Sequence, residues 1–157
     1  MLEEMDLGGS PLTNGKRDVH IQYEQGALGS LVKESSSKQV GAYGEDIACA
    51  YLEQCGLVIV ERNWHCRFGE VDIVARDGNT IVLVEVKTRR VKEDREAPFP
   101  EIAVDSRKRA RYEKLALLYL SWHKERMEIR FDVVAICLAG ECDSYLRHYV
   151  GAFGWDE

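Results

Sequence analysis

The sequence predicts an α/β domain: a mixed sheet with helices on its faces, in the order α-β-β-β-α-β. Three observations point there. Two stretches with helical apolar periodicity bracket three short runs of strand character. The turn signal Asp77-Gly78-Asn79 joins the second and third runs as a hairpin. A last run, "RFDVVAICLA", is continuously apolar, as a strand covered on both faces should be. A hairpin followed by a helical crossover to a further strand makes the sheet mixed.

Residues 1–38 contain "LGGSPLTNG" and "KESSSK" and hold no period, which predicts a flexible N-terminal extension with at most a transient strand at Val19 to Tyr23. The domain then spans 39–157. Its first helix covers Gln39 to Gln54, with Val40, Tyr43, Ile47, Tyr51 and Cys55 on one stripe and Glu45 at the stripe's border. Gly56 ends it. "LVIVERNWHC", "GEVDIVAR" and "TIVLVEVKT" read as successive strands. Residues Arg89 to Pro100 are charged and carry Pro98 and Pro100, which predicts an exposed loop. "AVDSRKRARYEKLALLYLSWH" is the second helix, capped by Asp105 or Ser106, with an inner stripe of Tyr112, Leu115, Ala116 and Tyr119. The tail "SYLRHYVGAF" adds a short edge strand.

A chain of 157 residues with 45% hydrophobic content makes one domain with a real core. Its longest apolar stretch, Val133 to Ala139, is far short of the roughly 20 residues of a membrane-spanning helix. The first 30 residues carry Glu3, Glu4 and Asp6 and no apolar signal region. Five cysteines without C-x-x-C or zinc-finger spacing suit free thiols in a reducing compartment, so the expected location is the cytoplasm. Cys66, beside His65, reads as a half-buried strand residue. The net charge of -6 is unevenly spread: residues 87–130 carry 13 basic against 8 acidic side chains, a net of +5. A basic segment in an acidic chain points to a polyanionic partner.

"GEVDIVARDGNTIVLVEVKTRR" then poses a problem, because Asp72, Glu85 and Lys87 interrupt two otherwise apolar strands. Alternation sets Val71, Ile73 and Ala75 on one face and Glu70, Asp72 and Val74 on the other; Glu85 and Lys87 share a face of the next strand. A two-residue loop at Gly78-Asn79 puts Asp72 opposite Glu85. A loop at Asp77-Gly78 puts Glu70 there and Asp72 on the diagonal. Either way the carboxylates share a face, and like charges about 4.5–5.5 Å apart at Cβ destabilise a sheet. Lys87 supplies one compensating charge. A divalent metal would supply more, and Mg²⁺ takes one or two carboxylates plus waters and phosphate oxygens. A pair of charges on a solvated sheet face is the competing explanation.

These residues resemble a known family. Glu45 on the first helix, Asp72, and Glu85-Val86-Lys87 across a hairpin resemble the PD-(D/E)XK nucleases, especially the archaeal-type Holliday-junction resolvases. "GAYGEDIACAYL", "ERNW", "GEVDIVARDG", "VLVEVKTRR", "AVDSRKRAR" and "RFDVVAI" are similar, in order, to the blocks of the bacterial YraN family of endonuclease-like proteins. The resemblance covers about residues 41–153. Val71 stands where the superfamily's Pro would be.

The resemblance implies a restriction-endonuclease-like fold and hydrolysis of phosphodiester bonds with Mg²⁺ or Mn²⁺. Asp72 and Glu85 would be metal ligands, Lys87 the catalytic lysine, and Glu45 a further carboxylate. Arg89, Arg90, Arg107, Lys108 and Arg111 would grip nucleic acid, DNA before RNA, and the resolvase-like relatives imply a homodimer. The alternative is a non-catalytic nucleic-acid-binding module of the same fold. Lys92 and Arg109 are further phosphate contacts to consider. Asp132 reads as a partner of Arg130, Glu70 as a solvated carboxylate, His65, His123 and His148 as structural or surface residues, and Trp64 and Tyr112 as core.

Overall fold

The structure, a computed structural model, describes residues 15–23, 36–91, 99, 105–123, 127–140 and 143–153. Its elements are β1 (Lys16–Gln22), α1 (Ser37–Gln54), β2 (Val58–Cys66), β3 (Gly69–Asp77), β4 (Thr80–Val91), α2 (Ser106–Trp122), β5 (Glu128–Ala139) and β6 (Asp143–Phe153). The expected series α-β-β-β-α-β runs from α1 to β5, and one more strand joins at each end.

The sheet has six strands in the order β1-β6-β5-β4-β3-β2. β4 and β5 are parallel and every other neighbouring pair is antiparallel. Burial divides between the two faces. Val40, Ile47, Tyr51 and Leu52 of α1 pack with Ile73, Ala75, Val82, Val84, Val134 and Ile136 on one face. Tyr112, Leu115, Ala116 and Tyr119 of α2 pack with Trp64, Val74, Leu83, Phe131 and Phe153 on the other. The sheet is therefore the middle of three layers, and β5, between them, is buried from Phe131 to Ala139.

Local signals explain the helices. Ser36 caps α1 through a capping box with Gln39, whose amide hydrogen-bonds back to the Ser36 N–H at 2.8 Å. Asp105 caps α2, accepting the Lys108 N–H at 2.8 Å. Gly44, in the middle of α1, lies so close to β4 that a Cβ there would fall inside the Thr88 side chain.

Two expectations need correction. Residues 16–22 lie within the segment expected as an extension outside the fold, yet they form a sheet strand. Val19 and Ile21 are buried in the α1-side core, Asp18 pairs with Arg147 at 2.6 Å, and the His20 ring stacks on Tyr145 at 4.6 Å. Alternation of apolar and polar side chains over seven residues is enough once β6 offers its edge. β6 itself is not at the edge, because β1 covers it. The second correction concerns β3. Val71 belongs to the α2-side core and Ile73 to the α1-side core, although they are two residues apart. The alternation slips at Asp72.

A buried polar chain ties the α1 face together. The Tyr51 hydroxyl lies 3.0 Å from His148 Nδ1, His148 Nε2 lies 2.7 Å from Asp132, and Arg130 bonds Asp132 at 2.9 Å and Asp77 at 3.0 Å. Asp132 also accepts the Gly151 N–H at 2.9 Å. These donors hold its carboxyl below the usual range against the pull of burial. Asp132 is thus the partner of Arg130, as expected, and is committed to structure.

Candidate active site at the split between β3 and β4

The hairpin closes with Asp77 opposite Thr80, so the two-residue loop at Gly78-Asn79 is the one formed. The ladder runs back from there to Ile73 opposite Val84 and stops. β4 continues against β5 as far as Val91, whereas β3 continues against β2 to Gly69. The sheet splits, and Asp72 stands at the fork. Its Oδ2 accepts the Val86 N–H at 2.8 Å, so a carboxylate replaces the next rung of the ladder.

The slip has a counterpart on β2. Asn63, flanked by Arg62 opposite Ile73 and Trp64 opposite Val71, has φ +51°. Trp64 packs toward α2, whereas Arg62 reaches α1, pairing with Asp46 at 2.8 Å and Glu45 at 3.8 Å. Both strands change phase side by side. Asn tolerates the left-handed region better than most residues, and its side chain hydrogen-bonds Glu45.

Beyond the fork β4 presents Glu85 and Lys87. Glu85 is 14% exposed at its side chain and lies between two ammonium groups: Lys108 Nζ at 2.6 Å from Oε2 and Lys87 Nζ at 3.5 Å from Oε1. The Lys108 contact is an ion pair without hydrogen-bond alignment. Lys87 is 54% exposed, so its ammonium is open to solvent, whereas Lys108 is 19% exposed and committed to Glu85. Glu45 reaches the site from α1. Burial raises its carboxyl above the usual range, and Asp72 adds to the rise. Asp72 is raised too: burial is the largest cause, the Val86 N–H opposes it, and the charges of Glu85 and Glu70 add to it.

Asp72, Glu85 and Lys87 therefore lie around the fork, and Glu45 on α1 is near enough for its charge to act on Asp72. Glu70 is exposed and pairs with His65 at 3.2 Å. Arg89 and Arg90 follow Lys87 on β4 and are exposed; the Arg89 Nε–H donates to Cys137 Sγ at 3.4 Å. Arg107 and Arg111 are exposed on α2. Lys92 lies outside the described residues. Trp64 and Tyr112 are core, and His123 sits 2.7 Å from the Tyr119 carbonyl at the end of α2. Sequence reasoning missed three residues: Lys108 as the partner of Glu85, Asn63, and Gly44. The signals were an Asn inside a strand and a Gly inside a helix, both unfavourable choices on propensity.

Two hard-oxygen ligands with a shortfall of positive charge fit Mg²⁺ or Mn²⁺, which need only one or two protein carboxylates. Among the described residues no three His, Cys, Asp or Glu side chains converge as ligands. A divalent metal at the fork would draw on Asp72 and Glu85.

The class defined is a mixed α/β domain whose central sheet splits beside carboxylates and a lysine. The comparisons with known proteins narrow it to a family. The profile of the uncharacterised protein family UPF0102 matches residues 44–136. A UPF0102 protein of Syntrophus aciditrophicus is 45% identical over 112 residues, which cover 71% of this chain and 86% of that protein. One from Geobacter sulfurreducens is 44% identical, covering 74% and 90%, and one from Nocardia farcinica is 42% identical, covering 78% and 95%. The chain belongs to the UPF0102 family, the YraN group of endonuclease-like proteins.

Proposed function

We propose that the protein is a metal-dependent endonuclease of the restriction-endonuclease-like, Holliday-junction-resolvase-like kind. The observation that carries this reading is the fork itself, where Asp72 and Glu85 crowd negative charge beside a solvent-open Lys87. A bound Mg²⁺ or Mn²⁺ would polarise the scissile phosphate and lower the pKa of a bound water. Asp72 and Glu85 hold the metal. Lys87, anchored by Glu85, would orient the attacking water with its ammonium and offset the charge that develops on the phosphate. Glu45 accepts a hydrogen bond from a water at the site's edge. Lys108 holds Glu85 in place. Arg89, Arg90, Arg107 and Arg111 hold the flanking phosphates, in DNA before RNA.

The cytoplasm is the setting that fits the free thiols found among the described residues at Cys49, Cys55, Cys66 and Cys137. Among the described residues no helix is long and apolar enough to cross a membrane. A homodimer would let two such sites cut two strands.

One observation favours a second reading, a nucleic-acid-binding module without catalysis: Glu85 is already engaged by the Lys108 ammonium at 2.6 Å. A cleavage screen separates the two. Duplex, single-stranded, flap and four-way substrates are incubated with Mg²⁺, Mn²⁺ or chelator. The nuclease reading expects cleavage that chelator, Asp72→Asn and Lys87→Ala each abolish. Binding without cleavage of any substrate would leave the module as the function.

A further inference from the structure

Beside the fork lies a group of cations that the chemistry above leaves largely unused. Arg107, Arg111 and Lys114 recur at i, i+4 and i+7 on α2, and all three are exposed. The helix rises about 10 Å over that span. The β2–β3 turn docks against the same stripe. Lys114 Nζ lies 5.9 Å from the Phe68 ring centroid, and the Arg67 guanidinium lies 4.8 Å from it. Gly69, with φ +135°, completes the turn, and a Cβ there would come within 3.6 Å of Arg111 Cδ. Lys108, next to Arg107 on α2, pairs with Glu85 at 2.6 Å, so this surface borders the site.

Several other cations on the described surface are matched to acids: Arg62 with Asp46, Lys108 with Glu85, Arg130 with Asp77, and Arg147 with Asp18. Among the described residues, Arg67, Arg107, Arg111 and Lys114 form no ion pair with a carboxylate. Four unpaired like charges share one surface of a chain whose net charge is -6. That arrangement costs the free protein energy, and a bound polyanion would recover it.

We infer that the β2–β3 turn and the outer stripe of α2 form one rail for the phosphates of a polynucleotide strand flanking the fork, with Arg67 and Lys114 as the contacts beyond Arg107 and Arg111. The inference rests on the nucleic-acid reading above and extends it to a hairpin turn. Strand phosphates advance about 3.4 Å each along a duplex, so a span of about 10 Å meets roughly three of them. Phe68 serves as a spacer: half-buried, its ring is shared by the two cations, Arg67 and Lys114.

The test is the salt dependence of binding, measured in chelator by fluorescence anisotropy with labelled duplex and single-stranded oligonucleotides. The double variant Arg67→Gln, Lys114→Gln should lower the slope of log K against log salt by about 1.4 to 1.8, the release expected for two phosphate contacts. Lys38→Gln with Arg76→Gln removes the same charge from exposed positions on α1 and β3 and should leave the slope at the parental value. A rail double variant with the parental slope, beside a parent that binds, overturns the rail and leaves the nuclease reading standing. An equal fall in the control pair also overturns it, because the effect would then be one of net charge. A parent that binds neither probe overturns the rail and the nucleic-acid reading together.

Discussion

Asp72 is held between opposing influences. The Val86 N–H favours its carboxylate form, while burial and the charges of Glu85 and Glu70 favour the acid, and the acid side wins. A carboxyl raised in the folded state keeps its proton to higher pH than in the unfolded chain. The contribution of Asp72 to stability is therefore greatest at low pH, falls as pH rises from the ordinary carboxylate range to the raised value, and stays reduced above it. Glu45 contributes with the same sign. Asp72→Asn should flatten this fall and raise the neutral-pH melting temperature of the metal-free protein, while abolishing cleavage. Thermal melts from about pH 4 to pH 7 check it.

The two lysines on Glu85 should separate. Lys87→Ala should leave the melting temperature within a degree or two and eliminate cleavage, since its ammonium is largely in water. Lys108→Ala should cost about 1–3 kcal/mol in urea unfolding, because it strips a mostly buried carboxylate of its nearer cation. Asp72, Glu85 and Lys87 were legible in the sequence because charges stand out in apolar strands. Lys108 was not, since a cation in the first turn of a polar helix reads as solvated until the helix's docking angle is known.

At the scale of elements, the site depends on how α1 meets β4. Gly44 lets the helix backbone rest on Thr88, and this contact places Glu45 beside Asp72 and Asn63. Gly44→Ala should gain helix propensity yet destabilise the protein by about 1–3 kcal/mol, because the new methyl overpacks the contact. A denaturant midpoint that rises instead would show that α1 can shift freely. Asn63→Gly runs the other way. It relieves a left-handed non-glycine residue, worth on the order of 1 kcal/mol, but removes the amide that holds Glu45, so stability and cleavage should move apart. Helix extents, the inner stripe of α2 and the hairpin turn follow from periodicity and capping. The phase slip at Asp72 does not, because a strand that changes faces looks in sequence like one that keeps them.

At the scale of the whole molecule, alternating helical and strand periods made the layered α/β arrangement readable. β1 was legible only as a transient strand at Val19 to Tyr23, because it is short and set among Gly- and Ser-rich sequence; its place in the sheet comes from pairing with β6. Removing residues 1–23 should lower the melting temperature by several degrees, since it exposes Leu146 and opens the edge of β6. An unchanged melt would show that β1 adds little to the fold. The same strand carries a consequence for synthesis. Asp18 and Arg147, which clasp β1 to β6, are 129 residues apart. At bacterial elongation speeds of about 5–20 residues per second, the first strand waits roughly 6 to 25 s after leaving the ribosome before its partner is made. For that interval Val19 and Ile21 have no edge to join, and the nascent chain carries an unpaired strand that a chaperone or another nascent copy could seize.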